Sequence, residues 1–311
     1  MNSDNLVANN MSSRRKSLIG KIGEMLELYT FLAPAYIIFL LFTFIPVLRS
    51  FYLSFFDYSL LSFQAPEYVG LLNFTDLLHD SVLKESVINT LVYALTTVPV
   101  RIALGLLIAI LLNSKLRGLK FYRTSYFIPV VTSMVAAAII WSLVFDASDG
   151  GLANRILSLF NVAPQGWLAD SGLAMFSVVV MSIWKDLGYC MLIYLAGLQG
   201  IPVDLYEAAD IDGVSNWQKL WFVTLPLLKP TTFFILTTQI INAFQVFTQT
   251  HVMTGGGPGY STTTIINLLY TKGFQEFNMG YASALAVLLF VALLLLTMVQ
   301  KRLFKAEESI Y

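Results

Sequence analysis

Stretches of about 20 apolar residues recur along this chain, near residues 30–52, 86–112, 123–145, 171–197, 226–250 and 280–300. In hydrocarbon the backbone can only satisfy its N–H and C=O groups internally, so each run is expected to cross a membrane as a helix. The expectation is an all-α fold, a polytopic membrane helix bundle with about six transmembrane helices. Composition agrees: 57% of residues are hydrophobic and 12% charged, where a globular domain carries roughly 25% charged residues.

Charge is informative through its placement, because Lys plus Arg and Asp plus Glu balance at 19 each. That balance proposes no nucleic acid as a partner. Arg14, Arg15, Lys16 and Lys21 precede the first run, Lys115, Arg117, Lys120 and Arg123 separate the second from the third, and Lys219 and Lys229 follow the fourth. Lys301, Arg302 and Lys305 follow the sixth, whereas the opposite connections hold Lys84, Arg155 and Lys272, with Arg49 near an edge. The positive-inside rule therefore puts both termini in the cytoplasm of a multi-pass plasma-membrane protein. Ser13-Arg14-Arg15 is read as part of that charge and not as a twin-arginine export signal, since no short apolar stretch with a small-residue cleavage site follows. The chain divides into a cytoplasmic tail (1–29), a membrane domain (30–302) and a cytoplasmic tail (303–311). Cys190, the single cysteine, excludes an internal disulfide and suits packing.

The stretch Ile201 to Gly213 is polar and small-sided between greasy neighbours. Asp204 with Glu207 has capping-box spacing, and Gly213 suits a left-handed helix end. Ser215 and Gln218 repeat the box, and Pro226 opens the next apolar run. On the other side, 53–85 contains an amphipathic piece at Asn73, Phe74, Leu77 and Leu78, either lying on the surface or capping the bundle. Gly255 to Gly259 reads as a flexible loop, a hinge, docking surface or plain connector; Tyr260 follows it where a phosphate-cradling loop would carry Lys and Ser or Thr. His79 and His251 have no second ligand at metal-like spacing, so no metal site is expected, and no nucleophile has a recognisable partner. The chain is read as no enzyme.

Polar residues inside membrane runs are the functional candidates. Ser182, Lys185, Asp186 and Tyr189 share one face of the fourth run. Lys185 and Asp186, as sequence neighbours, need separate partners. In the fifth run Thr238, Gln239, Asn242, Gln245 and Gln249 fall within about a 120° arc. Amides both donate and accept, which suits hydroxyl-rich solutes, but they also glue helices together, and both readings stay open. Arg101 is either one half of a structural pair or a snorkelling charge.

Glu207-Ala208-Ala209, Gly213 after a three-residue gap and Val223-Thr224-Leu225-Pro226 resemble the Glu-Ala-Ala loop of permease subunits of bacterial ATP-binding-cassette importers. Trp184, the segment 198–202, Thr254 to Pro258 and Thr262 to Thr264 resemble the carbohydrate-uptake, maltose-transporter-like branch. The resemblance implies an inner-membrane permease whose coupling loop (198–226) engages a cytoplasmic ATPase through Glu207, Ala208, Ala209, Asp210 and Gly213. It further implies a second homologous permease, two ATP-binding subunits that hold ATP and Mg, an extracytoplasmic solute-binding protein and a small-molecule solute, with no cofactor in this chain. Carried over by position, substrate-path residues would be Ser182, Lys185, Asp186, Tyr189, Gln239, Asn242, Ala243 and Val246. The Lys185-Asp186 pair departs from that branch and keeps a charged solute possible. An ion-coupled secondary transporter, resting on Asp186 as an intramembrane ion site, is the alternative.

Overall fold

The computed structural model describes residues 29–62, 65–114, 118–148 and 150–308, with side chains to residue 304. The Ser13-Arg14-Arg15 segment, Lys115 and Arg117 lie outside the described residues. Helices dominate: α1 (Tyr29–Leu53), α2 (Leu72–His79), α3 (Ser81–Leu112), α4 (Leu119–Val131), α5 (Met134–Val144), α6 (Leu152–Ser158) and α7 (Ser171–Gln199). They are followed by α8 (Val203–Ile211), α9 (Asn216–Leu227), α10 (Lys229–Phe244), α11 (Thr248–Thr254), α12 (Ile265–Tyr270) and α13 (Met279–Glu308). The strands β1 (Phe56–Asp57) and β2 (Glu67–Tyr68) pair antiparallel beside α2.

Among the described residues, α1, α3, α7 and α13 are each long and apolar enough to cross a membrane, and six spans result if each bent helix pair counts as one. The bent pairs are where sequence and structure part. The run near 123–145 is α4 and α5, bent by 99°, and the run near 226–250 is α9 and α10, bent by 65°. At the first break Thr132 and Ser133 leave the helical region, and Thr132 Oγ1 turns back to donate to the carbonyl of Pro129 at 2.6 Å. At the second, Pro226 and Pro230 flank Leu228, and neither can donate to the preceding turn. A related adjustment recurs before Pro46 and Pro226: the preceding turns, Leu40–Phe44 and Leu220–Thr224, widen to π geometry so that the ring meets no carbonyl.

The bundle is built on α3 against α7. Gly105 of α3 sits where an added Cβ would lie 2.7 Å from Cys190 Cβ, and Cys190, Met191 and Tyr194 are fully buried around it. Small residues let the two backbones approach, and Cys190 has the packing role expected of it. On another face of α7, Gly188 admits α4: an added Cβ would stand 2.0 Å from the Tyr126 carbonyl oxygen. At one end of the bundle Asp80 caps α3 through Val82 and Leu83 N–H and accepts from Tyr281 Oη at 2.6 Å. At that end α2 caps the bundle. Asn73 Nδ2 donates to the carbonyls of Ser54 and Phe56 at 3.0 Å, and Leu77 is buried. The glycine-rich loop there is held by hydrogen bonds: Thr262 Oγ1 donates to Gly257 O and Thr263 Oγ1 to Gly256 O. At the other end Arg123 reaches the Leu112 carbonyl, Tyr206 meets Thr224, and the rings of Phe233 and Phe304 lie 4.9 Å apart.

Replacing Gly188 by alanine should separate α4 from α7 and destabilise the chain by about 1–3 kcal/mol. The thermal midpoint of the purified protein checks this; an unchanged midpoint would contradict the packing.

Candidate functional site

Polar side chains meet inside the bundle along one stripe of α3. Ser86, Thr90, Tyr93, Thr97 and Arg101 recur at helical spacing and are all buried. Ser86, Thr90 and Thr97 return their hydroxyl protons to carbonyls of their own helix. Arg101, 1% exposed, instead reaches across. Its Nη1 donates to Gln239 Oε1 at 2.9 Å, and its Nη2 lies 3.0 Å from Asp186 Oδ2, 2.8 Å from the Ser182 carbonyl and 3.3 Å from Tyr93 Oη. Gln249 Nε2 of α11 donates to the same Tyr93 oxygen at 2.8 Å. One guanidinium thereby joins α3, α7 and α10, and Tyr93 adds α11.

Lys185 has a different partner, as the sequence required. Its Nζ donates to the Val130 carbonyl at 2.9 Å, in the last turn of α4, where the break leaves carbonyls without helical donors. A cation at a helix C-terminus also complements the helix dipole. Asp186 keeps 27% side-chain exposure. Ser182 is fully buried, and its hydroxyl has no partner among the described residues. Tyr189 is half-buried beside the cluster around Tyr194. Gln239 is 2% exposed, and Asn242 and Gln245 are exposed. Ala243 and Val246 are buried in the apolar cluster around Tyr93 and Val98 and present no surface in this conformation.

The polar arc expected over 238–249 is divided. Helix α10 ends at Phe244, so Gln239 and Gln249 face the interior from separate helices while Asn242 and Gln245 face out. Tyr93, which connects the two, escaped the sequence reading, although its spacing from Thr90, Thr97 and Arg101 already placed it on one face.

At the α8 end a second element is exposed. The helix starts at Val203, two residues earlier than a cap at Asp204 anticipated: Pro202 is its cap residue, no side chain caps it, and Asp204 lies in the first turn. A carboxylate there still favours the helix dipole. Glu207, Ala208 and Asp210 are exposed while Ala209 is buried beneath them. Gly213 closes the helix at φ +72° with nothing within 4 Å of an added Cβ, so glycine is required by conformation and not by crowding. The capping box expected at Ser215 and Gln218 is formed. Two side-chain links bridge the turn: an ion pair of Asp210 with Lys219, and Tyr206 Oη to Thr224 Oγ1 at 3.0 Å. A cleft of about 290 Å³ lies beside them, lined by residues including Asn113, Leu198 and Tyr206.

Residues 101–306 match the model of a family described as binding-protein-dependent transport system inner membrane component. The chain belongs to that family. It is an integral, multi-pass transport subunit of the inner membrane. The permease is 37% identical over 284 residues to the arabinooligosaccharides transport system permease protein AraP of Bacillus subtilis, covering 90% of each chain. It is 36% identical over 291 residues to the trehalose/maltose transport system permease protein MalF of Thermococcus litoralis, covering 94% of this chain and 96% of the relative. Its fold is similar to that of a chain in a bacterial ABC transporter involved in the import of the acidic polysaccharide alginate, at a TM-score of 0.82 and 23% identity over 93% of this chain and 99% of that one. Family membership sets aside the ion-coupled alternative, and the carboxylate that supported it is ion-paired.

Arg101→Met should leave Asp186 without its counter-ion and destabilise the permease by about 3 kcal/mol, the lower end for a broken buried pair because Asp186 is partly exposed. Adding Asp186→Asn should recover most of that loss in a thermal unfolding assay; additive losses would contradict the pairing.

Proposed function

We propose that this permease, with a second homologous permease, forms the translocation path of an ATP-driven importer for a neutral, hydroxyl-rich solute such as a sugar, oligosaccharide or polyol. The observation that carries the reading is the exposed α8 element. Small Ala208 permits close approach, Glu207 and Asp210 offer anionic contacts, and the exposed Leu205 and Ile211 add apolar surface. This element would dock on a cytoplasmic ATPase subunit, which supplies the bound ATP and Mg that this chain is not expected to hold. The α8 end would be cytoplasmic, since Lys120, Arg123, Lys219, Lys229, Lys301 and Arg302 flank the helix ends gathered there. A solute-binding protein would deliver cargo to the opposite end.

The solute class is supported by where the charges go. Arg101 and Asp186 compensate each other, and Lys185 is committed to the carbonyl end of α4. Asn242 and Gln245 are exposed amides; lining a path, they would match hydroxyls in both directions. The relatives named for arabinooligosaccharides and for trehalose and maltose carry cargo of that chemistry.

In the reconstituted complex, Glu207→Lys and Gly213→Val should each lower ATP hydrolysis stimulated by the loaded binding protein at least tenfold while the chain still inserts in the membrane. The valine is excluded by the left-handed backbone at position 213. Undiminished stimulation in both variants would overturn the reading.

A further inference from the structure

The Arg101–Asp186 pair is asymmetric. The guanidinium is sealed at 1% exposure while the carboxylate side chain is 27% exposed, so only the anion has an open side. Every contact of the two Arg101 Nη atoms is directed at a group on a helix that carries candidate path residues or at Tyr93 behind them. Asp186 and Gln239 touch the same guanidinium, and Asn242 lies one helical turn beyond Gln239, roughly 5–6 Å away, on the exposed side of α10. A carboxylate without a counter-ion at this place would select for cations and against anions in any water-filled passage alongside it.

We propose that Arg101 is a specificity-determining residue of the path: from behind the lining it cancels the charge of Asp186, so that the lining on this chain discriminates by hydroxyl geometry and not by charge. The other cation nearby on α7, Lys185, is 5% exposed and faces the end of α4, so it does not take over this function. The inference rests on the reading that Asp186 and Asn242 face the path. It gives the Lys185-Asp186 departure a physical meaning, because two charges appear in the lining helix and neither is presented uncompensated to the solute.

The test needs no knowledge of the solute. Cys190 is the single cysteine of the chain and is fully buried, so Asn242→Cys introduces one reactive thiol. In the assembled complex, its modification rates are measured with two methanethiosulfonates, one carrying a trimethylammonium-ethyl group and one a sulfonatoethyl group. Their ratio is compared with that for a free small thiol. The expected ratio is close to the free-thiol value in the parent. It should rise about tenfold with Arg101→Met, fall about tenfold with Asp186→Asn, and return with both substitutions together. If Arg101→Met alone fails to assemble, Asp186→Asn and the double variant still carry the comparison. A thiol that reacts, with a ratio that none of these variants moves, overturns the inference and leaves the path reading standing. A thiol that reacts with neither reagent, in both nucleotide-free and vanadate-trapped complexes, overturns the path reading and the inference with it.

Discussion

A guanidinium held inside an apolar helix bundle governs much of what surrounds it. Arg101 is 1% exposed, and a charge so placed is costly unless a counter-ion and hydrogen-bond acceptors offset its burial. Other helices supply them to both Nη atoms, with Asp186 and the Ser182 carbonyl on α7 and Gln239 on α10, while Nε has no partner among the described residues. The relative placement of α3, α7 and α10 follows from this demand as much as from the close approach at Gly105 and Cys190. The same rule explains Lys185. A span broken at Thr132 leaves carbonyls without donors, and in a membrane another side chain has to supply them.

The helix breaks connect this interior to the exposed end. Helix α8 is joined to α9 by the Asp210–Lys219 and Tyr206–Thr224 contacts across Gly213, and α9 meets α10 at a 65° bend. Displacement of α8 would therefore be carried through α9 to the helix that holds Gln239 and Asn242. In the proposed importer this is the route by which ATP-driven movement would reach the solute path.

Much of this architecture was legible in the sequence, because membrane spans are specified by length and hydrophobicity alone. The Ser215–Gln218 cap and the left-handed Gly213 were legible too, since each depends on a few adjacent residues. The break at Thr132 was not: Thr132 and Ser133 give no breaking signal stronger than that of Pro99, which α3 passes through unbroken. The cap expected at Asp204 lies two residues earlier, because Pro202 already supplies the extended backbone that a cap position needs. Separate partners for Lys185 and Asp186 could be inferred from their adjacency, but their identity depends on which helices meet. The stripe from Ser86 to Arg101 was readable at helical spacing, and Tyr93 would have been found through it.

The account stands or falls on what α8 touches in the cell. Photo-cross-linking in native membranes from position 207 on α8, with position 78 on α2 as the opposite-end comparison, measures this directly; Leu78 is 79% exposed, so both probes are accessible. The account predicts that position 207 captures an ATP-binding subunit and position 78 does not. Capture of that subunit from position 78, or its absence from position 207 in an assembled complex, would contradict it.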